Sequence, residues 1–519
     1  MRAIRGIVVL AVVLSGCDVA WPDTTEDCEF LMTCEHFRGL WNQIETPAGC
    51  VPNENVGAVD DGCGVFVSPS GADRNPGTKG IPVKTLRKAL ALAEGSGKRR
   101  VYLCAGTFEE AVEVTEGVTI YGGLDCASGW SWAGEQRKTV LTAGVGEIPL
   151  VVRGGGGGEA KVRVEDVHVK ARGIGRDEQV VFAGVSSIAA LAEEASVELA
   201  RCVLEAGDAA AGEAGAAYSV SAPRSLDGKR GGPACSGAGV LGGLSVKNDC
   251  GTPDDPSDDS SSGLGGVGAA DSGGPGAKGS PGDMVNGGMG DEGSTESTMC
   301  TAGTAGDGGT EGGPGTGATG LGEISARGFT GAAGSDGTKG GTAQGGGGGG
   351  GSKGGAGEGK CMDEASAGGA SGGSGGAGGC GGAGGRGGSA GGSSIALISL
   401  NATLSFEQVT LKTGRGGAGG KGGAGQEGGD GGAGGPGGEA PVGAVSLHDG
   451  CAGGPGGKGG AGGRGGGGLG GHAIGIAYKG AAPPVQGGTI ELGEAGPGGA
   501  GANAEGEGAA GVKAEVQAF

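Results

Sequence analysis

The stretch SSIALISLNATLSFEQVTLKTG, residues 393–414, reads as β structure. Leu404 and Phe406, then Val409 and Leu411, alternate with polar neighbours at the two-residue period of a half-buried strand. An upstream stretch, SSIAALAEEASVELARCVLEAG at 186–207, aligns with it without a gap. Ser186, Ser187, Ile188, Ala189, Ala195, Leu204 and Gly207 are identical to Ser393, Ser394, Ile395, Ala396, Ala402, Leu411 and Gly414. Val197, Leu199, Cys202 and Leu204 fall where Leu404, Phe406, Val409 and Leu411 fall. The same strand-bend-strand spacing recurs at Val162, Val164, Val167 and Val169, and in part at residues 473–492 with Ile490 and Leu492. Val512, Ala514, Val516 and Ala518 alternate as a closing strand would. Each unit has one apolar face and too little chain to bury it alone, so the units are expected to stack as the rungs of an all-β solenoid.

Directly after this stretch the composition changes. Residues 416–439 run in triplets, mostly Gly-Gly-X, and triplets return at 372–389 and 453–468. Of 519 residues 139 are glycine and only 3% are aromatic, so a conventional side-chain core cannot cover the chain. A flexible coil, a bundle of polyglycine II helices and collagen all compete for the tracts. Strict triplet register favours the bundle, since a coil has no reason to keep it, while the entropy of ordering glycine favours the coil. Collagen is the weakest of the three, because only residues 276–284 hold Gly-X-Y for three triplets.

The expected division is a leader at 1–16, a Cys-rich segment at 17–64, first rungs at 65–227, a glycine-rich insertion at 228–392, a rung at 393–414, a second insertion at 415–471 and last rungs at 472–519. A net charge of −21 excludes a nucleic-acid partner, which needs a basic face.

Fourteen cysteines with no metal-site spacing point to an oxidising compartment. The basic start Met1-Arg2-Ala3-Ile4-Arg5, the short apolar run at 7–14 and the string Leu14-Ser15-Gly16-Cys17 resemble a bacterial lipoprotein signal with its lipobox. The resemblance implies cleavage before Cys17, acylation of that residue, and attachment in the cell envelope, at the outer membrane or cell surface. Cys28, Cys34, Cys50 and Cys63 read as two disulfides rather than a zinc site with His36. Cys104 and Cys126 lie about one rung apart, so stacking would bring them together. Cys235, Cys250, Cys300, Cys361, Cys380 and Cys451 lie in or beside the tracts, where cross-links would help segments with no core stay together.

Val65-Phe66-Val67, a turn-rich loop, the N-cap Thr85, a short helix with Leu86, Ala89, Leu90 and Ala93 on one face, and a strand at 100–104 form a recognisable opening. Residues 65–142 resemble the start of pectin-lyase-like right-handed parallel β-helix proteins. The resemblance implies that the helix caps the open end of the solenoid. In composition the tracts also resemble PGRS-type glycine-rich surface proteins.

Enzymes of the pectin-lyase-like fold process polysaccharides with carboxylates and basic residues on the outer face. Asp166 with Arg163, or Glu198 with Arg201, could be such a pair, although a solvated face is the plainer reading. Trp21, Trp41, Trp130 and Trp132 all precede the repeats, so aromatic platforms for sugars are nearly missing beyond them. Asp249, Asp254, Asp255, Asp258 and Asp259 could offer oxygens to calcium, without the spacing of a known calcium loop. No other cofactor is implied. His36, His168, His448 and His472 are scattered, and Ser374 and Ser389 match a nucleophile-elbow pattern only because triplets contain it.

These features point to a lipid-anchored envelope or surface protein with a structural or adhesive role. Its expected partners are a membrane and, beyond it, polysaccharide or other surface proteins. The alternative is a polysaccharide-processing β-helix enzyme, active or degenerate.

Overall fold

The computed structural model describes residues 49–54, 59–115, 117–154, 161–178, 180–292 and 299–519. Expectations for the leader and for Cys17, Cys28, Cys34 and His36 lie outside the described residues. What is described consists mostly of strands in parallel sheets.

β1 (Val65–Val67) leads to α1 (Leu86–Ser96), which begins where Thr85 Oγ1 accepts the Lys88 amide and ends at Gly97 in the left-handed region. Leu86, Ala89 and Ala93 are buried on its inner face, against the first strands. Then follow β2 (Arg100–Cys104), β3 (Thr107–Glu109), β4 (Val112–Val114), β5 (Thr119–Asp125), β6 (Ser131–Trp132), β7 (Thr139–Thr142) and β8 (Leu150–Arg153). β9 (Lys161–Glu165), β10 (Val167–Lys170), β11 (Ser187–Glu193), β12 (Ser196–Ala200) and β13 (Val203–Glu205) precede the first glycine-rich region. Inside that region lie the two-residue strands β14 (Gly239–Val240), β15 (Lys247–Asn248), β16 (Ser260–Ser261) and β17 (Gly268–Ala269), and the hairpin β18 (Glu323–Ser325) and β19 (Gly328–Thr330). The chain closes with β20 (Ser394–Leu400), β21 (Thr403–Glu407), β22 (Val409–Lys412), β23 (Ala473–Lys479), β24 (Gly488–Glu491) and β25 (Lys513–Ala518).

Three parallel sheets result, in the orders β1-β2-β5-β9-β12-β21, β3-β7-β10-β13-β22-β24 and β4-β8-β11-β20-β23-β25. From β2 to β23 the principal strands enter the three sheets in rotation, so each circuit of chain adds one strand to each; after β23 only the second and third sheets gain a strand, β24 and β25. Their inward Val, Leu and Ile side chains share one core, from Val65 to Ile476. The two similar stretches become direct neighbours: Ser187 pairs with Ser394, Ser196 with Thr403 and Val203 with Thr410. Ser393 also donates its amide to Ser186 Oγ, 207 residues away. Single residues with φ of 50–56° turn the chain between sheets, namely Asp166, Arg201 and Gln408 at one corner and Glu194 and Asn401 at another.

Two local expectations differ. The sequence reads Gly122-Gly123 as the turn after the strand that carries Val118 and Ile120, but both glycines lie within β5 at a register irregularity. At Gly122 an added Cβ would sit 2.6 Å from the Asp166 carbonyl, which is why glycine is needed there. β20 is buried along its whole length, not on one face alone. The hairpin β18–β19 covers the outside of the third sheet and joins Ile324 and Phe329 to Ile188, Leu191, Ile395, Ile398 and Ile474.

The glycine-rich regions are ordered by hydrogen bonds between segments. Gly373, Gly376, Gly379, Gly382, Gly385, Gly388 and Gly391 donate in turn to the carbonyls of Cys451, Gly454, Gly457, Gly460, Gly463, Gly466 and Leu469. On a second side Gly349, Gly346, Ala343, Gly340, Gly337 and Gly334 donate to residues 373, 376, 379, 382, 385 and 388. On a third, amides from Gly438 back to Gly417 donate at three-residue steps to residues 371–392. Ser371, Ser374 and Ala377 donate to Gly232, Lys229 and Leu226, while Gly372 and Gly375 donate to Gly266 and Gly263. Every residue from 367 to 382 is buried, yet none is larger than Cys380.

A triplet pattern can slip by three residues without changing these backbone bonds. Side chains break that degeneracy: Ser371 Oγ accepts the Gly232 amide and donates to the Leu241 carbonyl, Ser374 Oγ accepts from Lys229, and Ser389 Oγ accepts from Glu213. Disulfides Cys235–Cys361, Cys250–Cys380 and Cys300–Cys451 close loops of 126, 130 and 151 residues across the same segments. Chain-entropy arguments give such loops up to about 4–5 kcal/mol each. Residues 209–227, expected among the first rungs, belong with these segments, since Gly212 and Gly215 donate to Ala418 and Lys421 and Ser225 to Asp430.

The packing yields a paired prediction. A Cβ at Gly379 would lie 1.9 Å from the Gly429 carbonyl oxygen, whereas at exposed Gly308 it would lie 3.5 Å from the Lys458 carbonyl oxygen. In denaturant titrations of the disulfide-intact protein, Gly379→Ala should lose about 1–3 kcal/mol or more. Gly308→Ala should stay within about 0.5 kcal/mol of wild type.

Candidate functional site

The densest set of charged side chains stands on the outer face of the first sheet. Adjacent parallel strands place Arg163 of β9 opposite Glu198 of β12, and Glu165 opposite Ala200. Arg163 pairs with Glu198 and Glu165, and reaches Glu407 at 3.6 Å. The next residues, Asp166 and Arg201, are the left-handed corners, which turns both side chains toward the antiparallel flap carrying Trp132.

There Arg201 Nη2 lies 2.5 Å from Glu165 Oε2 and 3.0 Å from Asp166 Oδ2, and its Nε is 3.1 Å from Asp166 Oδ1. Trp132 Nε1 donates to Asp166 Oδ2 at 2.9 Å, and its ring lies 5.9 Å from the guanidinium carbon. Glu165, Asp166 and Arg201 are 2%, 2% and 8% exposed. Burial works against the guanidinium charge, but hydrogen bonds and attraction from Asp166 and Glu165 outweigh it and raise the Arg201 pKa. The sequence suggested Asp166 with Arg163 and Glu198 with Arg201; the folded pairs are crossed. Every carboxylate here is held by a cation, so the cluster fastens a corner and offers no unengaged acid or base to a sugar.

The acidic loop is likewise engaged. Asp258 accepts from Lys339 Nζ at 2.5 Å and from Thr252, and these bonds hold its carboxyl below the usual range although burial pushes the other way. Asp259 pairs with Lys247. Asp255 caps a short turn through Ser257, which lowers its pKa, and Asp249 accepts from the Gly251 amide. Asp254 is exposed. Among the described residues no three His, Cys, Asp or Glu side chains are grouped to hold a metal ion.

Cys50 is bonded to Cys63 and Cys104 to Cys126. Cys202 is the free cysteine among the described residues. Its buried thiol donates to the Val164 and Ala200 carbonyls, and loss of solvation pushes its pKa up to about 12. Ser374 is fully buried between segments, which removes it as a nucleophile. His168 faces Glu205 at 2.9 Å on the second sheet. His472 is fully buried with both ring nitrogens bonded to backbone, a setting that nothing in its scattered sequence position announced. A pocket beside α1, lined by Arg87, Glu94, Arg99, Glu113 and Val118, holds about 180 Å³, below the usual size of a small-molecule site.

At the end of the glycine-rich segments remote from the three sheets, Cys235–Cys361 and Cys300–Cys451 tie the chain reversals together. Ala234, Cys361, Ala370 and Leu447 form a small core there, while Met362, Val442 and Val445 stand exposed. No family model, no curated protein and no solved structure matches the chain.

Arg201→Ala should strand two buried carboxylates and cost about 3–5 kcal/mol. Arg163→Ala, on a more exposed side chain, should cost less than half of that, and paired thermal and denaturant unfolding curves would rank the two.

Proposed function

We propose that the chain is a lipid-anchored, non-catalytic protein of the cell envelope with a structural or adhesive role. In this reading the three sheets are the faces of a right-handed parallel β-helix capped by α1, and the glycine-rich segments are a polyglycine II bundle that projects from it. The observation that carries the reading is residues 371–392. They donate and accept at three-residue steps on several sides, and those up to residue 382 are buried without a side-chain core. At about 3.1 Å per residue, residues 371–391 would span about 60 Å, enough to hold the remote end well clear of the β-helix. The lipobox-like string ending in Cys17 supplies the anchor, and the acidic surface suits a solvated exterior.

A polysaccharide-processing role would need two carboxylates facing a groove, and Glu165 and Asp166 are instead bound to Arg201 under Trp132. Adhesion through exposed apolar side chains at the remote end, including Met362, Val442 and Val445, fits the geometry better.

Two measurements test this reading. Fatty-acid labelling and envelope fractionation should show the wild type membrane-bound and Cys17→Ser unlabelled and soluble; equal labelling of both would remove the anchor. Hydrogen exchange should show residues 417–438 protected to the same order as β20. Exchange there at coil rates would reduce the projection to a flexible spacer.

A further inference from the structure

The ring of His472 lies where four parts of the molecule meet. It directly precedes β23, follows the glycine-rich segment 450–471, and touches Phe329 of the hairpin β18–β19 and the two residues that flank the closing strand β25, Val512 and Phe519. The Val512 amide can only donate, so Nδ1, 2.8 Å away, must be unprotonated. The Leu321 carbonyl can only accept, so Nε2, also at 2.8 Å, carries the proton. Phe329 and Phe519 meet the ring edge-on at 5.2 and 6.0 Å. Its environment therefore admits one neutral tautomer.

We propose that His472 is an acid-sensitive latch for β25. A proton added at Nδ1 would point at the Val512 N–H, replacing an accepted hydrogen bond with a clash of two donors in a site with 0% exposure. Among the described residues no carboxylate forms an ion pair with the ring. Glu323 on the hairpin is directed to Lys479 of β23, Glu494 is paired with Lys513, and β20 carries no charged residue. β25 is the part free to yield, being the edge strand of the third sheet and only partly buried. Low-stability edges open before the core does.

The sign follows from the neutral folded ring. Burial pushes the His472 pKa down, against the smaller upward pull of the Leu321 carbonyl, while a released ring titrates near its ordinary value of about 6.5. The released state thus binds more protons below about 6.5, and the latch is fully closed above that pH and weakens as pH falls through it. The limit is about tenfold in the opening equilibrium per pH unit.

Hydrogen exchange of the full, disulfide-intact protein at pH 7.5 and 5.0, corrected for intrinsic exchange, tests this directly. The amides of β25 should lose protection at pH 5.0 relative to those of the β11–β20 pair, by up to about thirtyfold over the interval below 6.5. His472→Gln should remove the differential loss. Unchanged β25 protection in the wild type, or the same loss in His472→Gln, would overturn the proposal. Should that variant not fold, NMR titration of the wild-type ring decides: protonation at or above pH 6.5 with β25 still protected would also overturn it.

Discussion

An amide hydrogen bond between segments, beside which no Cβ can stand, governs most of this molecule. The glycines of residues 371–392 are not there for left-handed turns, since none of them has positive φ. They are there because neighbouring backbone lies where a side chain would begin: a Cβ on Gly372, Gly376 or Gly382 would fall within 1.9–2.1 Å of a carbonyl oxygen from another segment. Glycine loses the most freedom on ordering, on the order of 1–2 kcal/mol per residue, and one net hydrogen bond returns about 0.5–1.5 kcal/mol. The two terms nearly cancel. The sign is then set by the three long-loop disulfides and by the few serine hydroxyls that fix register.

The same pairings run unbroken from sheet into glycine-rich segment. Ala206, Ala209 and Gly212 donate to Lys412, Arg415 and Ala418, extending the β13–β22 ladder, and the Gly391–Leu469 bond passes directly into Ser394–His472 at the start of β20. A ladder whose register is specified by apolar side chains thereby hands that register to segments that have almost none. The hairpin β18–β19 completes the joint by burying the outer face of the third sheet.

How much of this was legible depends on which atoms carry the information. The alignment of residues 186–207 with 393–414 foretold their pairing because adjacent strands share one core and so one apolar pattern. Residues 209–227 looked unlike the other tracts because a peripheral segment needs a small residue only about every third position, as at Gly212, Gly215, Ala222 and Ser225. The buried central segment needs one nearly everywhere. Burial of β20 on both faces was hidden because its cover comes from Ile324 and Phe329, far away in a region of low complexity. At the charged cluster the residue types were readable but the partners were not, since the left-handed corners at Asp166 and Arg201 re-aim their side chains toward Trp132.

The long parallel and antiparallel runs around residues 371–392 also fix how the molecule answers to force. Tension applied along those segments, between the remote end and the sheets, would load many inter-segment bonds together in shear instead of peeling them one at a time. Three covalent bridges near and along the run limit how far any segment can slide. Resistance to forced unfolding is set by the rate of unfolding and not by equilibrium stability, so a structure whose thermodynamic terms almost cancel can still serve as a stiff tether.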